Sequence, residues 1–153
     1  KALGINFGSV NMDMLITSEG KIHIIDIGAR MGGNMIGPCV IPYGTGVDYM
    51  ANMIRNAVGD EKDFDTSAHG CVATRLLAFK DGVVARMPDF DALEKDYGVE
   101  IYHHLELGQK VNEYHTNLDG CGYTVAKADD VETAIQKAET VLNIIKETIF
   151  CTD

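Results

Sequence analysis

Two apolar strands joined by a short turn near the start of the chain carry two aspartates in matching positions. Residues 10–16 and 22–27 are apolar at alternating positions, and the intervening Ser18–Lys21 is typical of a turn. A two-residue turn at Glu19-Gly20 would place Asp13 directly opposite Asp26. The sequence therefore predicts a β-hairpin in which these two carboxylates face each other.

The facing carboxylates indicate a metal site. Like charges directly opposite on neighbouring strands repel, with β-carbons about 4.5–5.5 Å apart. A single acidic residue in a strand is most often solvated, but Asp26 lies in the apolar run 22–27, where an unpaired carboxylate is costly to bury. Mg²⁺ is usually bound by one or two carboxylates and keeps other positions for water and substrate phosphates. We predict that Asp13 and Asp26 bind such a cation.

The same face of the hairpin carries further polar and apolar positions. The predicted register places Asn11 opposite Gly28 on one side of the acid pair, and Leu15 opposite Ile24 on the other. A face that is polar at one end and apolar at the other suits a nucleotide, with its phosphates on the metal and its base against aliphatic side chains.

A glycine-rich loop, residues 28–34, follows the hairpin and contains Arg30. Glycines allow close backbone approach, and a guanidinium can form two parallel hydrogen bonds to a phosphate or carboxylate. The alternative for Arg30 is a salt bridge to Asp13 or Asp26.

Composition excludes several classes of function. The chain has 153 residues and a net charge of −10, without the basic stripe that nucleic-acid binding requires. It has neither a membrane-spanning run nor a signal pattern. Its four cysteines are far apart and form no CxxC motif, so we interpret them as reduced and the protein as cytoplasmic. The start at Lys1, without methionine and just before a strand, looks like a cut in a longer protein.

The middle of the chain indicates two units. A loop at 37–46 precedes a possible capping box at Thr45–Asp48 and a helix that ends at Gly59. The polar run 60–67 then marks a boundary. We predict domains at 1–62 and 63–153.

The second unit reads as strands around a short helix, closed by a long helix. A second hairpin is predicted around Lys80-Asp81-Gly82, and the final helix runs from about Asp130 to Ile149. The other predicted elements are a helix at 89–96 and strands at 99–107, 110–115 and 122–127. The buried stripe predicted for the last helix comprises Val131, Ala134, Ile135, Ala138, Val141, Leu142 and Ile145.

The histidines of this second unit do not form a metal site by their spacing. His103 and His104 would point to opposite faces of a strand, and His69 and His115 lack a ligand partner at a recognisable spacing. We interpret them as ordinary surface histidines.

The hairpin and its loop resemble the ATP-grasp family of ligases, which carry a metal-binding acid on one strand and an acid-x-Asn-x-Arg motif after the next. Asn11-Met12-Asp13 matches the first acid position, and Asp26-Ile27-Gly28-Ala29-Arg30 matches the second motif. The Thr45–Gly59 segment, TGVD followed by a helix, is also similar.

The second unit resembles the small domain that follows the ATP-grasp fold in biotin carboxylase, glycinamide ribonucleotide synthetase and amino-acid ligases. The similar segments are Val72–Arg75, Gly82–Val84, Leu107–Val111, Gly122–Val125 and the alanine-rich last helix. The resemblance implies an α+β fold: an antiparallel-sheet C-terminal lobe of an ATP-grasp fold followed by a small β-rich domain with a long terminal helix.

The resemblance also implies roles for the residues. Asp13 and Asp26 would hold Mg²⁺ (or Mn²⁺) on the phosphates of ATP, Leu15 would lie under adenine, and Arg30 would lie near the transferred phosphate. Ile24, at the apolar end of the same predicted face, is a further candidate for binding the nucleotide. The family's Asn after the second acid is replaced here by Gly28. Asn11 across the ladder is our first candidate to replace it as a ligand, and Asn34 is the second.

The implied reaction is carboxylate–amine ligation through an acyl-phosphate. An amino-acid ligase fits the loop sequence best, and the alternatives are a carbamoyl-phosphate synthetase-like or phosphoribosylglycinamide synthetase-like ligase, or a degenerate module that binds without catalysis. The implied partners are ATP, a small carboxylate and the N-terminal lobe that would precede Lys1. Without that lobe we expect no turnover. The resemblance also allows a homodimer, and it involves neither nucleic acid nor a membrane.

Overall fold

The computed structural model describes residues 2–67 and 70–150 as a mixed α+β fold with antiparallel sheets, as predicted. His69 and Cys151 lie outside the described residues. The strands are β1 (Asn11–Ile16), β2 (Ile22–Gly28), β3 (Cys71–Leu76), β4 (Gly82–Val83), β5 (Val99–His103), β6 (Lys110–Val111) and β7 (Gly122–Ala128). The helices are α1 (Ile41–Thr45), α2 (Tyr49–Val58), α3 (Phe90–Tyr97) and α4 (Val131–Ile149).

β1 and β2 form the predicted antiparallel hairpin, but with a different turn. The backbone N–H of Thr17 donates to Lys21 O, and Gly20 adopts a φ of 77°, which gives a three-residue loop instead of the predicted two-residue turn. A β-bulge lies between the Asp13 and Met14 pairs and leaves Ile25 as the extra residue of β2. The bulge compensates for the longer loop, so that Asp13 still pairs with Asp26.

Beyond the bulge the predicted register is wrong. Leu15 pairs with His23, and Ile24 pairs with Met14. Directly paired residues share a face of the sheet, and successive residues alternate between faces. Ile24 is therefore paired on the Met14 face of the hairpin, away from the face that carries Asp13 and Leu15.

The second unit contains a three-stranded antiparallel sheet in the order β3-β7-β5. β4 pairs with β6, not with β3, so the second hairpin predicted around Lys80-Asp81-Gly82 is wrong. The short helix α3 matches its prediction, because Asp89 caps its first turn and Gly98 ends it with a positive φ.

The long helix α4 covers one face of this sheet. Asp130 caps it by accepting from the backbone N–H of Thr133, and Ala134, Ala138, Val141, Leu142, Ile145 and Ile149 are buried. Val131, placed in the buried stripe by periodicity, is 60% exposed, because it is the first helical residue and the stripe begins one turn later. The buried side chains of α4, β3, β5 and β7 form the main hydrophobic core.

The other face of the sheet is covered by residues 36–45, which overlap the loop predicted at 37–46. Instead they form a π-helical turn, Ile36–Val40, that continues into α1. Thr45 ends α1, so the predicted capping box is wrong, and α2 is capped by Asp48. This segment precedes residue 62 yet packs on the sheet of the second unit. The boundary between residues 1–62 and 63–153 stays a prediction.

Candidate functional site

The acid pair lies in the middle of the hairpin and is accessible. Asp13 and Asp26 are directly paired, as predicted, but Asp26 is exposed rather than buried by its apolar neighbours, and Asp13 is exposed as well. The side-chain amide of Asn11 donates to Asp13 Oδ1 over 3.4 Å. Within residues 2–67 and 70–150, neither carboxylate forms a salt bridge with a basic side chain. The like charges therefore face each other without a compensating cation from this part of the chain.

The donors of this pair suit a hard divalent cation. The carboxylates of Asp13 and Asp26 present oxygen ligands of the kind that Mg²⁺ and Mn²⁺ accept. The neighbouring Asn11 turns the nitrogen of its amide toward Asp13, so its oxygen could join them only after the amide rotates. In the described part of the chain, no group of three or more His, Cys, Asp and Glu side chains is arranged to hold a metal. A cation at Asp13 and Asp26 would therefore need ligands from water or from a bound phosphate.

The hairpin has a polar face and an apolar face, and the bulge determines which residues of β2 lie on each. The polar face carries the pairs Asn11–Gly28, Asp13–Asp26 and Leu15–His23. The apolar face carries the pairs Met12–Ile27, Met14–Ile24 and Ile16–Ile22. The side chains of the apolar face are largely solvent-exposed, from 39% for Met12 to 66% for Ile16, apart from the half-buried Ile27. Of the two aliphatic residues predicted beside the base, only Leu15 shares the face of the acid pair.

Arg30 is not engaged by the acid pair. Its guanidinium donates to the carbonyl of Met31 over 2.9 Å, and its aliphatic part packs over Gly28. The described residues contain no salt bridge from Arg30 to Asp13 or Asp26, which was the alternative interpretation. The remaining guanidinium donors are thus available to an anion.

The loop after Arg30 folds back against β1. A Cβ at Gly32 would lie 2.9 Å from Asn11 Oδ1 and 3.1 Å from Ile36 Cδ1, so any larger residue there would displace these side chains. Asn34 and Met35 then adopt positive φ values of 52° and 63°, which are uncommon for residues other than glycine.

Asn34 contacts the second unit. Tyr123 on β7 donates its hydroxyl hydrogen to Asn34 Oδ1 over 3.0 Å. This contact links the loop to the β3-β7-β5 sheet, and sequence reasoning could not find it because the two residues are far apart in the chain. The predicted role of Asn34 at the nucleotide stays a prediction.

A polar cluster next to this contact also escaped sequence reasoning. Glu100 accepts hydrogen bonds of 2.7 Å from the hydroxyls of Tyr43 and Tyr102, and Lys127 Nζ lies 3.2 Å from Glu100 Oε1. Lys127 Nζ also lies 3.1 Å from the centroid of the Tyr43 ring. The alternation of Glu100 and Tyr102 along β5 was the one signal in the sequence that they share a face.

The cluster shifts the pKa values of its members. Burial alone would raise the pKa of Glu100, but the hydrogen bonds from Tyr102, Tyr43 and Lys127 outweigh it and lower this pKa. The hydrogen bond to Glu100, followed by burial, raises the pKa of Tyr102. Glu100 is therefore stabilised as an anion, and its hydrogen bond from Tyr43 links α1 to the sheet.

His103 and His115 of the second unit contact neighbouring protein groups. The ring of His103 stacks on Phe90 with centroids 3.9 Å apart, and its Nδ1 accepts from the backbone N–H of Leu105. His115 lies 3.9 Å from Glu113 at the surface.

Among the described residues, no helix is both long and apolar enough to cross a membrane.

The second unit of the chain matches a family model. Residues 75–148 match the family model of the L-amino acid ligase C-terminal domain 2. A comparison with curated protein sequences gives no significant match.

Solved structures share the fold over nearly the whole chain. L-amino acid ligase from Bacillus licheniformis matches with a TM-score of 0.74 and 17% identity over 99% of this chain and 38% of its own. Phosphoribosylglycinamide synthetase from Anaerococcus prevotii matches with a TM-score of 0.72 and 19% identity over 98% of this chain and 39% of its own. N5-carboxyaminoimidazole ribonucleotide synthetase from Thermotoga maritima matches with a TM-score of 0.67 and 19% identity over 92% of this chain and 37% of its own.

These proteins are ATP-grasp superfamily members, and this chain spans less than two fifths of the length of each. The predicted resemblance is thereby confirmed at the level of the fold. The chain has the fold of the C-terminal part of an ATP-grasp superfamily ligase.

Proposed function

We propose that this chain is the C-terminal part of a Mg-ATP-dependent carboxylate–amine ligase of the amino-acid type, acting through an acyl-phosphate. The observation that carries the proposal is the polar face of the hairpin, where Asp13 pairs with Asp26 beside Asn11. The guanidinium of Arg30 follows, with one donor bound to Met31 O and its other donors available to an anion. The match of residues 75–148 to an L-amino acid ligase domain supports the amino-acid type.

Each residue has a defined task in this proposal. Asp13 and Asp26 bind the cation, and the Asn11 amide supplies an oxygen that compensates for the missing side chain at Gly28. The bound cation would neutralise the phosphate charges of ATP as phosphoryl transfer proceeds. Arg30 orients the phosphoryl group and the acceptor carboxylate by charge-assisted hydrogen bonds. Leu15 packs against the base.

The rest of the site would come from an N-terminal lobe of the same protein. The exposed apolar face of the hairpin, with Ile16 at 66% and Ile24 at 55% exposure, supports a further part of the lobe packing there. We infer that residues 1–62 form the C-terminal lobe of the ATP-grasp fold, which would share the ATP site with that N-terminal lobe, and that this chain alone does not turn over ATP. A cytoplasmic location agrees with the free thiols of Cys39, Cys71 and Cys121.

The metal site can be tested on the chain as it is. Mn²⁺ added to ¹⁵N-labelled protein should broaden the amide signals of Asn11, Asp13 and Asp26 first, and Asp13→Asn or Asp26→Asn should abolish this broadening. Asp96→Asn is the matched control, an exposed carboxylate on α3 outside the site. Equal broadening in Asp26→Asn and the parent would contradict the metal assignment.

The reaction is tested in the full-length protein. Incubation with Mg-ATP, candidate amino acids and hydroxylamine should give ADP, phosphate and a hydroxamate, because hydroxylamine displaces phosphate from an acyl-phosphate. Arg30→Ala should reduce hydroxamate formation by two orders of magnitude or more, roughly the scale of losing one transition-state donor. ADP release by the isolated fragment would contradict its proposed inactivity.

A second candidate is a degenerate module that binds without catalysis, favoured by the absence of a side chain at Gly28. Metal-dependent nucleotide binding without hydroxamate would support it. A phosphoribosylglycinamide synthetase-like or carbamoyl-phosphate synthetase-like ligase is the alternative within the enzyme class. The similarity in fold to phosphoribosylglycinamide synthetase supports the former, and the acceptor that yields product decides among them.

A further inference from the structure

The β-bulge at Ile25 changes which side chain of β2 accompanies the acid pair. In an unbroken ladder with Asp13 opposite Asp26, His23 would pair with Ile16 and lie on the apolar face. The observed register pairs His23 with Leu15 instead. Because β1 itself is regular, Leu15 and Asp13 share a face, and His23 shares it with them.

His23 occupies a defined end of this face. Leu15 is two residues from Asp13, so the Leu15–His23 pair lies about 7 Å along the strands from the acid pair. The Asn11–Gly28 pair and the loop of Arg30 lie beyond the acid pair in the other direction along the strands. With phosphates at the acids and at Arg30, the His23 end faces the nucleoside.

The imidazole of His23 is available for binding. The side chain is exposed, and within the described residues it has no hydrogen bond, ion pair or ring contact. His103, in contrast, has its ring stacked on Phe90 and its Nδ1 engaged by Leu105. A neutral imidazole offers one donor and one acceptor, which suits the hydroxyls and heteroatoms of a nucleoside.

We propose that His23 hydrogen-bonds the nucleoside part of the bound nucleotide, with Leu15 packing beside it. The proposal rests on the proposed function, because it uses the acid pair as the phosphate end of the site. His23 is thus a binding residue that favours a nucleotide over a bare polyphosphate.

The test compares two ligands in the full-length protein. Dissociation constants are measured by calorimetry for Mg-ADP and for magnesium tripolyphosphate, which lacks a nucleoside. His23→Ala should weaken Mg-ADP binding by about 3- to 10-fold, the scale of one hydrogen bond, and leave tripolyphosphate binding unchanged. His23→Phe keeps a ring but no polar atom and should also lose affinity for Mg-ADP. His104→Ala is the control, an exposed histidine elsewhere.

The outcomes separate this inference from the proposed function. If Asp26→Asn abolishes binding of both ligands while His23→Ala changes neither, the function stands and the role of His23 is refuted. Equal weakening of both ligands by His23→Ala also refutes it, because the effect then lies at the phosphate end or in the fold. If neither ligand binds the parent in a metal-dependent way, the proposed function itself fails.

Discussion

Gly32 shows how a single residue shapes the proposed site. Its missing side chain lets the Arg30 loop approach β1, because a Cβ would meet Asn11 Oδ1 at 2.9 Å and Ile36 Cδ1 at 3.1 Å. Asn11 Oδ1 and Ile36 Cδ1 are side-chain ends, which can move at modest cost, and Ile36 Cβ at 3.3 Å is the one close atom fixed to the backbone. A substitution there should therefore displace the Asn11 amide more than it lowers global stability.

We predict that Gly32→Ala shifts the Asn11 side-chain amide signals in a ¹⁵N spectrum and weakens Mn²⁺ binding several-fold. The free energy of unfolding should fall by about 1 kcal/mol, at the low end of overpacking costs. Gly33→Ala is the matched control, because a Cβ at Gly33 meets nothing within 4 Å. Unchanged Asn11 signals in Gly32→Ala would contradict the packing described for this loop.

Glu100 is the residue that most directly ties residues 36–45 to the sheet. Its carboxylate accepts from Tyr43 and Tyr102 and pairs with Lys127, and its pKa is lowered by these partners against the opposing effect of burial. A lowered pKa in the folded state means that the ionised form stabilises the fold above the ordinary pKa of about 4.5. This contribution is lost as the pH falls through the folded-state pKa.

We predict that Glu100→Gln lowers the free energy of unfolding by about 1–2 kcal/mol at pH 7, since the charge-assisted bonds are partly solvated. The difference from the parent should shrink as the pH falls below about 4.5. Urea denaturation of both proteins at pH 7, 5 and 3.5 measures this difference in the free energy of unfolding. Glu61→Gln removes an exposed carboxylate on the loop after α2 and should show no such trend. A constant difference at all three pH values would argue against the ionised network.

At the scale of elements, the hairpin shows why a sequence can predict a site and still miss its surroundings. The Asp13–Asp26 pair was predicted correctly from a two-residue turn that the chain does not have. The longer loop shifts the register by one residue, and the bulge at Ile25 shifts it back. Only the pairs between the loop and the bulge were predicted wrongly. In the observed register His23, and not Ile24, lies on the polar face.

Long-range pairing limited the prediction of the second unit. The helices α3 and α4 were predicted well, because caps at Asp89 and Asp130 are local signals. β3 pairs with β7, its partner far along the chain, although a local turn signal favoured a hairpin with β4. The contacts of Tyr123 with Asn34 and of Glu100 with Tyr43 depend on that topology and leave no local pattern.

The turn of the hairpin provides a test at this scale. Gly20 has a φ of 77° and open space around its missing Cβ, so Gly20→Ala introduces backbone strain without a clash. We predict a local cost of about 1 kcal/mol, which raises amide hydrogen exchange in β1 and β2 roughly fivefold. Gly20→Asn should cost less, because asparagine tolerates this conformation better. Amides of β7 serve as the internal reference, and an equal rise there would show that the hairpin does not open on its own.

At the scale of the molecule, the structure has one well-covered sheet and one uncovered hairpin. The β3-β7-β5 sheet lies between α4 and residues 36–45, and its central side chains Val125 and Ala126 are 1% and 0% exposed. The hairpin instead presents an apolar face to solvent, with Ile24 at 55% and Ile22 at 62% exposure. Such a contiguous apolar surface is characteristic of an interface.

The last prediction compares this chain with the full-length protein in which we propose it belongs. Ile24→Thr keeps a β-branched side chain, so in this chain alone it should change the free energy of unfolding by less than about 0.5 kcal/mol. In the longer protein the same change should cost about 1–3 kcal/mol, because the apolar face would be buried against the preceding lobe. Ile145→Val, in a side chain that is 0% exposed on α4, should cost about 1 kcal/mol in both. Guanidinium denaturation of both proteins measures these values, and an equal effect of Ile24→Thr in the two would mean that no lobe covers this face.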